Sequence, residues 1–154
     1  MTKVVVIGVG NPYRSDDGVG PAVVELLRHN EIPGVELECA RGETAELIEL
    51  WTGAALALLV DAVRAQPAHP GRVHHLVVPD LRTERIRAAS SHGLDLGAAV
   101  ELARVLDRLP GRLELFAIEV EQVGHGRGLS APVADAARHV AAEISTILTA
   151  PAVP

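Results

Sequence analysis

Four side chains, in three separate parts of the sequence, have the chemistry of a metal site. Asp16 and Asp17 are adjacent in a glycine-rich stretch near the start of the chain. Asp61 directly follows an apolar run, and His92 lies in a stretch of small residues. Carboxylates combined with an imidazole suit a divalent metal of intermediate hardness, such as nickel or zinc. So few protein ligands would leave coordination positions open.

Each of these residues also has a simpler interpretation. Either Asp16 or Asp17 can cap the helix that follows and complement its dipole. Asp61 can be a turn former at the end of a strand, and a single histidine before a helix, such as His92, is more often structural than a ligand. His125, in a later glycine-rich loop, is a weaker candidate for the same crevice. The metal hypothesis therefore depends on the fold bringing the acids and His92 together.

Two apolar runs predict the strands that position the acids. The β-branched run at residues 4–7 is typical of a strand buried on both faces, and the glycines and proline of residues 8–12 end it. The run at residues 54–60 has the same character and is predicted to end on Asp61. Ligands of open parallel sheets bind outside the carboxyl ends of the strands. If these two strands are neighbours, Asp61 lies near Asp16 and Asp17 across one crevice.

The remaining pattern alternates strands with helices, which indicates a three-layer α/β/α sandwich around a mostly parallel sheet of about five strands. The link after Asp61 is too short for a crossover helix, so the next strand is predicted to be antiparallel or at an edge. Ser130 is expected to cap the last helix. One domain over residues 1–154 is expected. Strands are predicted at residues 4–7, 34–39, 54–60, 72–78 and 112–120, and helices at residues 17–29, 44–50, 94–109 and 131–148.

Composition narrows the classes of function. The net charge of −6 argues against nucleic-acid binding, which needs a basic surface. One cysteine, Cys39, excludes an internal disulfide and fits a reducing compartment, and we expect it to be a small core residue. The apolar start is too short for a signal peptide or a membrane span. A cytoplasmic protein with no membrane partner is therefore expected.

Two other enzyme classes fit the motifs poorly. The stretch Gly8-Val9-Gly10 lacks the third glycine of a dinucleotide-binding fingerprint. Acids also occupy the start of the helix, where a pyrophosphate would need free N–H groups. The sequence contains no G-x-S-x-G elbow, and Ser91 is adjacent to His92, which is a poor arrangement for a serine hydrolase.

Five motifs follow one another along the chain: Gly8-x-Gly10-Asn11, Asp16-Asp17-Gly18-x-Gly20, Asp61-Ala62, Ser91-His92-Gly93-Leu94 and Gly128-Leu129-Ser130. Taken in order, they resemble those of the hydrogenase maturation proteases, over nearly the whole chain. The resemblance implies an endopeptidase that removes a short C-terminal extension from the large-subunit precursor of a nickel–iron hydrogenase, after nickel insertion. The implied partner is that precursor, and the implied metal is nickel supplied by it, with zinc or another divalent ion as a surrogate.

By position, the metal-coordinating trio of that family falls on Asp17, Asp61 and His92. Asp17 replaces the glutamate of some members, which shortens this ligand by one methylene. Asp16 matches the preceding acid and is counted with Asp17, Asp61 and His92 as catalytic, while Asn11 matches the loop asparagine in a supporting role. The resemblance leaves open whether the metal identifies a loaded substrate or polarises the scissile carbonyl.

Two alternatives remain at this point. A peptidyl-tRNA hydrolase also opens with a buried strand running into G-x-G-N-P, but the acidic charge is wrong for tRNA. The other alternative is a metal-dependent docking or chaperone domain that binds a metalloenzyme precursor without cutting it. The mass of the precursor before and after incubation separates the docking domain from the protease.

Overall fold

In the computed structural model, residues 2–77, 96–121, 126 and 128–150 are described. The strands are β1 (Lys3–Val9), β2 (Val35–Ala40), β3 (Ala54–Val63), β4 (Val73–Val77) and β5 (Leu113–Glu119). The helices are α1 (Val19–His29), α2 (Thr44–Trp51), α3 (Leu96–Val105) and α4 (Ala131–Thr149), and a short 3₁₀ helix spans Ser15–Gly18 before α1. None of the described helices has the length and apolar composition that crossing a membrane requires.

The strands form one sheet in the order β2-β1-β3-β5-β4. Neighbouring strands are parallel except for β4, which runs antiparallel to β5 at the edge of the sheet. The mostly parallel sheet and the position of the short strand are thus confirmed. The central pair, β1 and β3, are direct neighbours, as the crevice hypothesis requires.

Helices cover both faces of the sheet, which confirms the three layers. On one face, α2 and α3 pack over Ile7, Leu59 and Leu115 in one buried cluster. On the other face, α1 and α4 pack over a second cluster that includes Leu58 and Phe116. Both faces of the central strands are apolar because both are covered, which explains their unbroken hydrophobic runs.

Three sequence predictions differ from the structure in ways that matter. Strand β3 does not end on Asp61 but continues to Val63, because Ala62 and Val63 pair with β5. Helix α3 ends at Val105, earlier than predicted, and its predicted start falls partly outside the described residues. Cys39 is exposed rather than in the core, because β2 is an edge strand.

Glycines allow α1 to lie directly on the sheet. A Cβ at Gly20, in the first turn of α1, would stand 2.6 Å from the carbonyl oxygen of Val60 and 2.6 Å from the backbone nitrogen of Val9. Real Cβ contacts are never this short, so only glycine permits this approach. The close packing holds the start of α1, and the 3₁₀ helix before it, against β1 and β3.

Candidate functional site

Asp17 lies in the 3₁₀ helix that follows the first loop and is almost fully buried. Its Oδ2 accepts a hydrogen bond from the Asn11 backbone N–H at 3.0 Å. The chain folds back tightly here, because Gly10 has φ +140 and a Cβ on it would lie 2.0 Å from the carbonyl oxygen of Asp17. The Asn11 backbone therefore holds one oxygen of the Asp17 carboxylate, and the supporting role expected for Asn11 stays a prediction.

Asp16 is fully buried, and its carboxylate joins distant parts of the chain. Oδ1 accepts from the Ser130 backbone N–H at 2.7 Å, while Oδ2 accepts from the Ser130 hydroxyl at 2.9 Å and the Glu121 backbone N–H at 3.0 Å. Bonds to an ionised acceptor are stronger than neutral ones. Asp16 therefore fastens the first loop to the end of β5 and the start of α4.

The helix-capping interpretation of the acids does not describe this arrangement. Gly18 is the N-cap residue of α1, so neither Asp16 nor Asp17 occupies that position. Ser130 stands at the N-cap position of α4 as predicted, but its side chain makes no capping bond there. Its hydroxyl is instead donated to Asp16, which the sequence pattern does not reveal.

Asp61 is inside β3, paired in register with Ala117 of β5, and is 3% exposed. The 3₁₀ helix carrying Asp16 and Asp17 contacts β3 directly. The structure therefore brings the acid pair to the strand that carries Asp61, at the carboxyl end of the parallel sheet. Burying carboxylates is costly unless hydrogen bonds, opposite charges or metal ions compensate.

The first loop is also held by the later glycine-rich segment. The Gly126 backbone N–H donates to the Tyr13 carbonyl at 3.0 Å, and the Ser15 N–H donates to the Gly126 carbonyl at 2.8 Å. Ser15 has φ +51, a left-handed conformation that non-glycine residues seldom adopt. Bonds on both sides thus fix an unusual backbone beside the buried acids.

Two buried glutamates on β5 were not anticipated from the sequence. Glu119 accepts from the His69 backbone N–H at 2.9 Å and pairs with His74 Nε2 at 2.7 Å. Glu114 pairs with His75 Nε2 at 2.6 Å and with Arg112 at 2.8 Å. The predicted strand at residues 112–120 carried no signal for these acids.

These pairs attach the edge strand β4 to β5. His74 and His75 are consecutive, so they reach Glu119 and Glu114 on opposite faces of the sheet. Burial raises the pKa of Glu119, but the hydrogen bonds from His69 and His74 outweigh it, so the pKa is lowered overall. The pKa of Glu114 is lowered in the same way, with burial opposed by Arg112 and His75.

The two histidines considered for the site, His92 and His125, lie outside the described residues. Within the described part of the chain, no three His, Cys, Asp or Glu side chains are grouped closely enough to hold a metal ion. A site built from Asp17, Asp61 and His92 therefore remains a prediction. The sequence places His92 four residues before Leu96, which packs at the start of α3 in the cluster on one face of the sheet.

A separate groove of about 320 Å³ lies between α1 and α4. Apolar side chains line it, among them Leu26, Leu129 and Ala137, with Arg138 at its margin. Asp16, Asp17 and Asp61 are not part of its lining. The acids therefore occupy a different place from this groove.

Comparison with known proteins gives a family model and a relative that are both described as hydrogenase maturation proteases. The family model HycI, described as hydrogenase maturation protease, matches residues 22–147, a range that begins after the acid pair. Hydrogenase 2 maturation protease of Escherichia coli (strain K12) is 29% identical over 136 residues, covering 85% of this chain and 81% of that protein.

Solved structures agree in fold. The hydrogenase maturating endopeptidase HybD from E. coli has a TM-score of 0.79 at 24% identity, over 96% of this chain and 92% of that one. The [NiFe] hydrogenase maturation protease HybD from Thermococcus kodakarensis has a TM-score of 0.77 at 20% identity, over 96% of this chain and 100% of that one.

Proposed function

Because this chain belongs to the HycI hydrogenase maturation protease family, we propose that it cleaves the large-subunit precursor of a nickel–iron hydrogenase. The cut removes the C-terminal extension after nickel has been inserted. Asp17, Asp61 and His92 recognise the nickel, and Asp16 positions the loop that carries Asp17. The reaction takes place in the cytoplasm, where the precursor is assembled.

The observation that carries this proposal is the burial of carboxylates at the carboxyl end of the parallel strands. Asp17 is 1% exposed and Asp61 is 3% exposed, and the 3₁₀ helix holding Asp17 contacts the strand holding Asp61. Buried carboxylates need hydrogen bonds, opposite charges or metal ions to compensate them, and a bound cation would supply this compensation to both Asp17 and Asp61. A divalent cation of intermediate hardness accepts carboxylate oxygens together with an imidazole nitrogen.

The nickel is part of the substrate in this proposal. Three side chains leave coordination positions open, and these are filled by the ligands that the precursor already provides. An empty precursor therefore lacks the group that Asp17, Asp61 and His92 bind, so it is not cleaved. Zinc or another divalent ion occupies the same side chains as a surrogate when supplied alone.

The test compares nickel-loaded and nickel-free precursor, incubated with this protein and analysed by mass spectrometry. We expect loss of the C-terminal extension only from the loaded form. Asp17→Asn, Asp61→Asn and His92→Ala should abolish cleavage while retaining the native circular dichroism spectrum. The matched control is Asp107→Asn, which removes one charge from an exposed turn.

The outcomes separate the components of the proposal. Cleavage of loaded and empty precursor at equal rates would reject nickel recognition. Full activity in any variant of Asp17, Asp61 or His92 would remove that residue from the site. Binding of the precursor without a change in its mass would identify a docking domain instead. The peptidyl-tRNA hydrolase alternative is rejected, because the chain belongs to the hydrogenase maturation protease family.

A further inference from the structure

The chain contains three aromatic residues of the Phe, Trp and Tyr types, one of each. Trp51 and Phe116 are fully buried, whereas Tyr13 is 61% exposed. At this exposure, more than half of the Tyr13 surface is available for burial against another molecule. Tyrosine is also among the residue types that contribute most to protein–protein binding when they become buried at an interface.

The backbone under Tyr13 is fixed on both sides. Its N–H donates to Asn11 Oδ1 at 2.9 Å, and its carbonyl accepts from the Gly126 N–H at 3.0 Å. The left-handed Ser15 follows two residues later and is held by the Gly126 carbonyl. Binding of a partner to this ring therefore costs little conformational entropy, because the loop is already ordered.

The same loop leads directly to the proposed nickel site. Asn11, whose side chain accepts from the Tyr13 N–H, donates its own N–H to Asp17 Oδ2. The position of Tyr13 is thus coupled to the orientation of the Asp17 carboxylate through a single residue. A molecule bound across Tyr13 is held at a fixed offset from Asp17.

From this combination we infer that Tyr13 is a substrate-contact residue, whose ring packs on an apolar surface of the large-subunit precursor beside its nickel. This inference rests on the proposed function. It adds that recognition has a second component, an apolar contact that is independent of the metal. The hydroxyl stays at the margin of that contact, so the ring provides the interaction.

The experiment measures the dissociation constant of the nickel-loaded precursor, together with KM and kcat for its cleavage. Tyr13→Ala should weaken binding and raise KM at least tenfold, with kcat within twofold of wild type. Tyr13→Phe should bind within twofold of wild type, because it keeps the ring. Leu106→Ala is the matched control, since Leu106 is an apolar side chain that is 50% exposed beyond the end of α3.

Each outcome decides the inference separately from the proposed function. If wild type fails to cleave the precursor, the proposed function is wrong, while binding to Tyr13→Ala still reports on the contact. Unchanged binding and KM in Tyr13→Ala would overturn the contact even if wild type cleaves normally. A loss in Tyr13→Phe as large as in Tyr13→Ala would overturn an apolar ring contact. Equal weakening by Leu106→Ala would show that the effect is not specific to this loop.

Discussion

Replacing Asp16 by Asn tests whether this acid fastens the first loop to the rest of the domain. The carboxylate accepts two bonds from Ser130 and one from the Glu121 backbone. An Asn side chain has one oxygen and one NH₂ group in the same volume. Whichever way the amide is turned, its NH₂ faces a backbone N–H that previously donated to the carboxylate.

The expected decrease in the unfolding free energy of Asp16→Asn follows from the hydrogen bonds that are lost. A hydrogen bond to a charged group contributes about 1.5–3 kcal/mol, and a buried donor left without an acceptor costs about 1–3 kcal/mol. The Ser130 hydroxyl can rotate to accept from the new amide, so one backbone donor carries most of the penalty. We therefore expect Asp16→Asn to lower the free energy of unfolding by about 3 kcal/mol, or the Tm by about 10 °C. Ser130→Ala should cost only about 1 kcal/mol, because both backbone donors keep their acceptor.

Urea unfolding measures both changes. The fluorescence of Trp51, the single tryptophan of the chain and fully buried, reports the transition. Asp107→Asn is the control, because Asp107 is exposed and has φ +57, a conformation that Asn tolerates. If Asp16→Asn is within about 0.5 kcal/mol of wild type, the level of ordinary surface substitutions, the fastening role is wrong. Lost cleavage at unchanged stability would indicate that Asp16 acts at the reacting atoms.

Two further predictions concern packing and pH. Gly20→Ala should destabilise the protein by about 1–3 kcal/mol and reduce cleavage, since the added methyl meets the Val60 carbonyl and moves α1 outward. Gly34→Ala, whose Cβ meets no atom within 4 Å, should cost only the strain of its positive φ and leave cleavage unchanged. Because the pKa of Glu119 is lowered on folding from 4.5, its stabilisation is complete above that value and lost as pH falls through the lower folded pKa. The unfolding free energy of wild type should therefore fall more steeply below about pH 5 than that of Glu119→Gln; parallel pH profiles would contradict the role of the pair with His74.

The sequence by itself determined the layered architecture. Unbroken apolar runs such as that of β3 are typical of parallel strands that helices cover on both faces, and this pattern is local. The short connection after Asp61 was enough to predict that the next strand is antiparallel or at an edge, because a parallel crossover needs more residues; the structure shows that β4 is both. The ordered set of motifs between Gly8 and Ser130, which includes the acids and His92, was sufficient to indicate the family.

Only the tertiary structure decided what individual polar side chains do. Asp16 finds its donors at Glu121 and Ser130, more than a hundred positions away, and no local pattern records such a pairing. Glu119 is buried because the His69 backbone N–H and His74, from the neighbouring strand, both hydrogen-bond to its carboxylate. Local sequence specifies which backbone conformations are favourable, whereas the partner of a buried charge depends on which segments the completed sheet brings side by side.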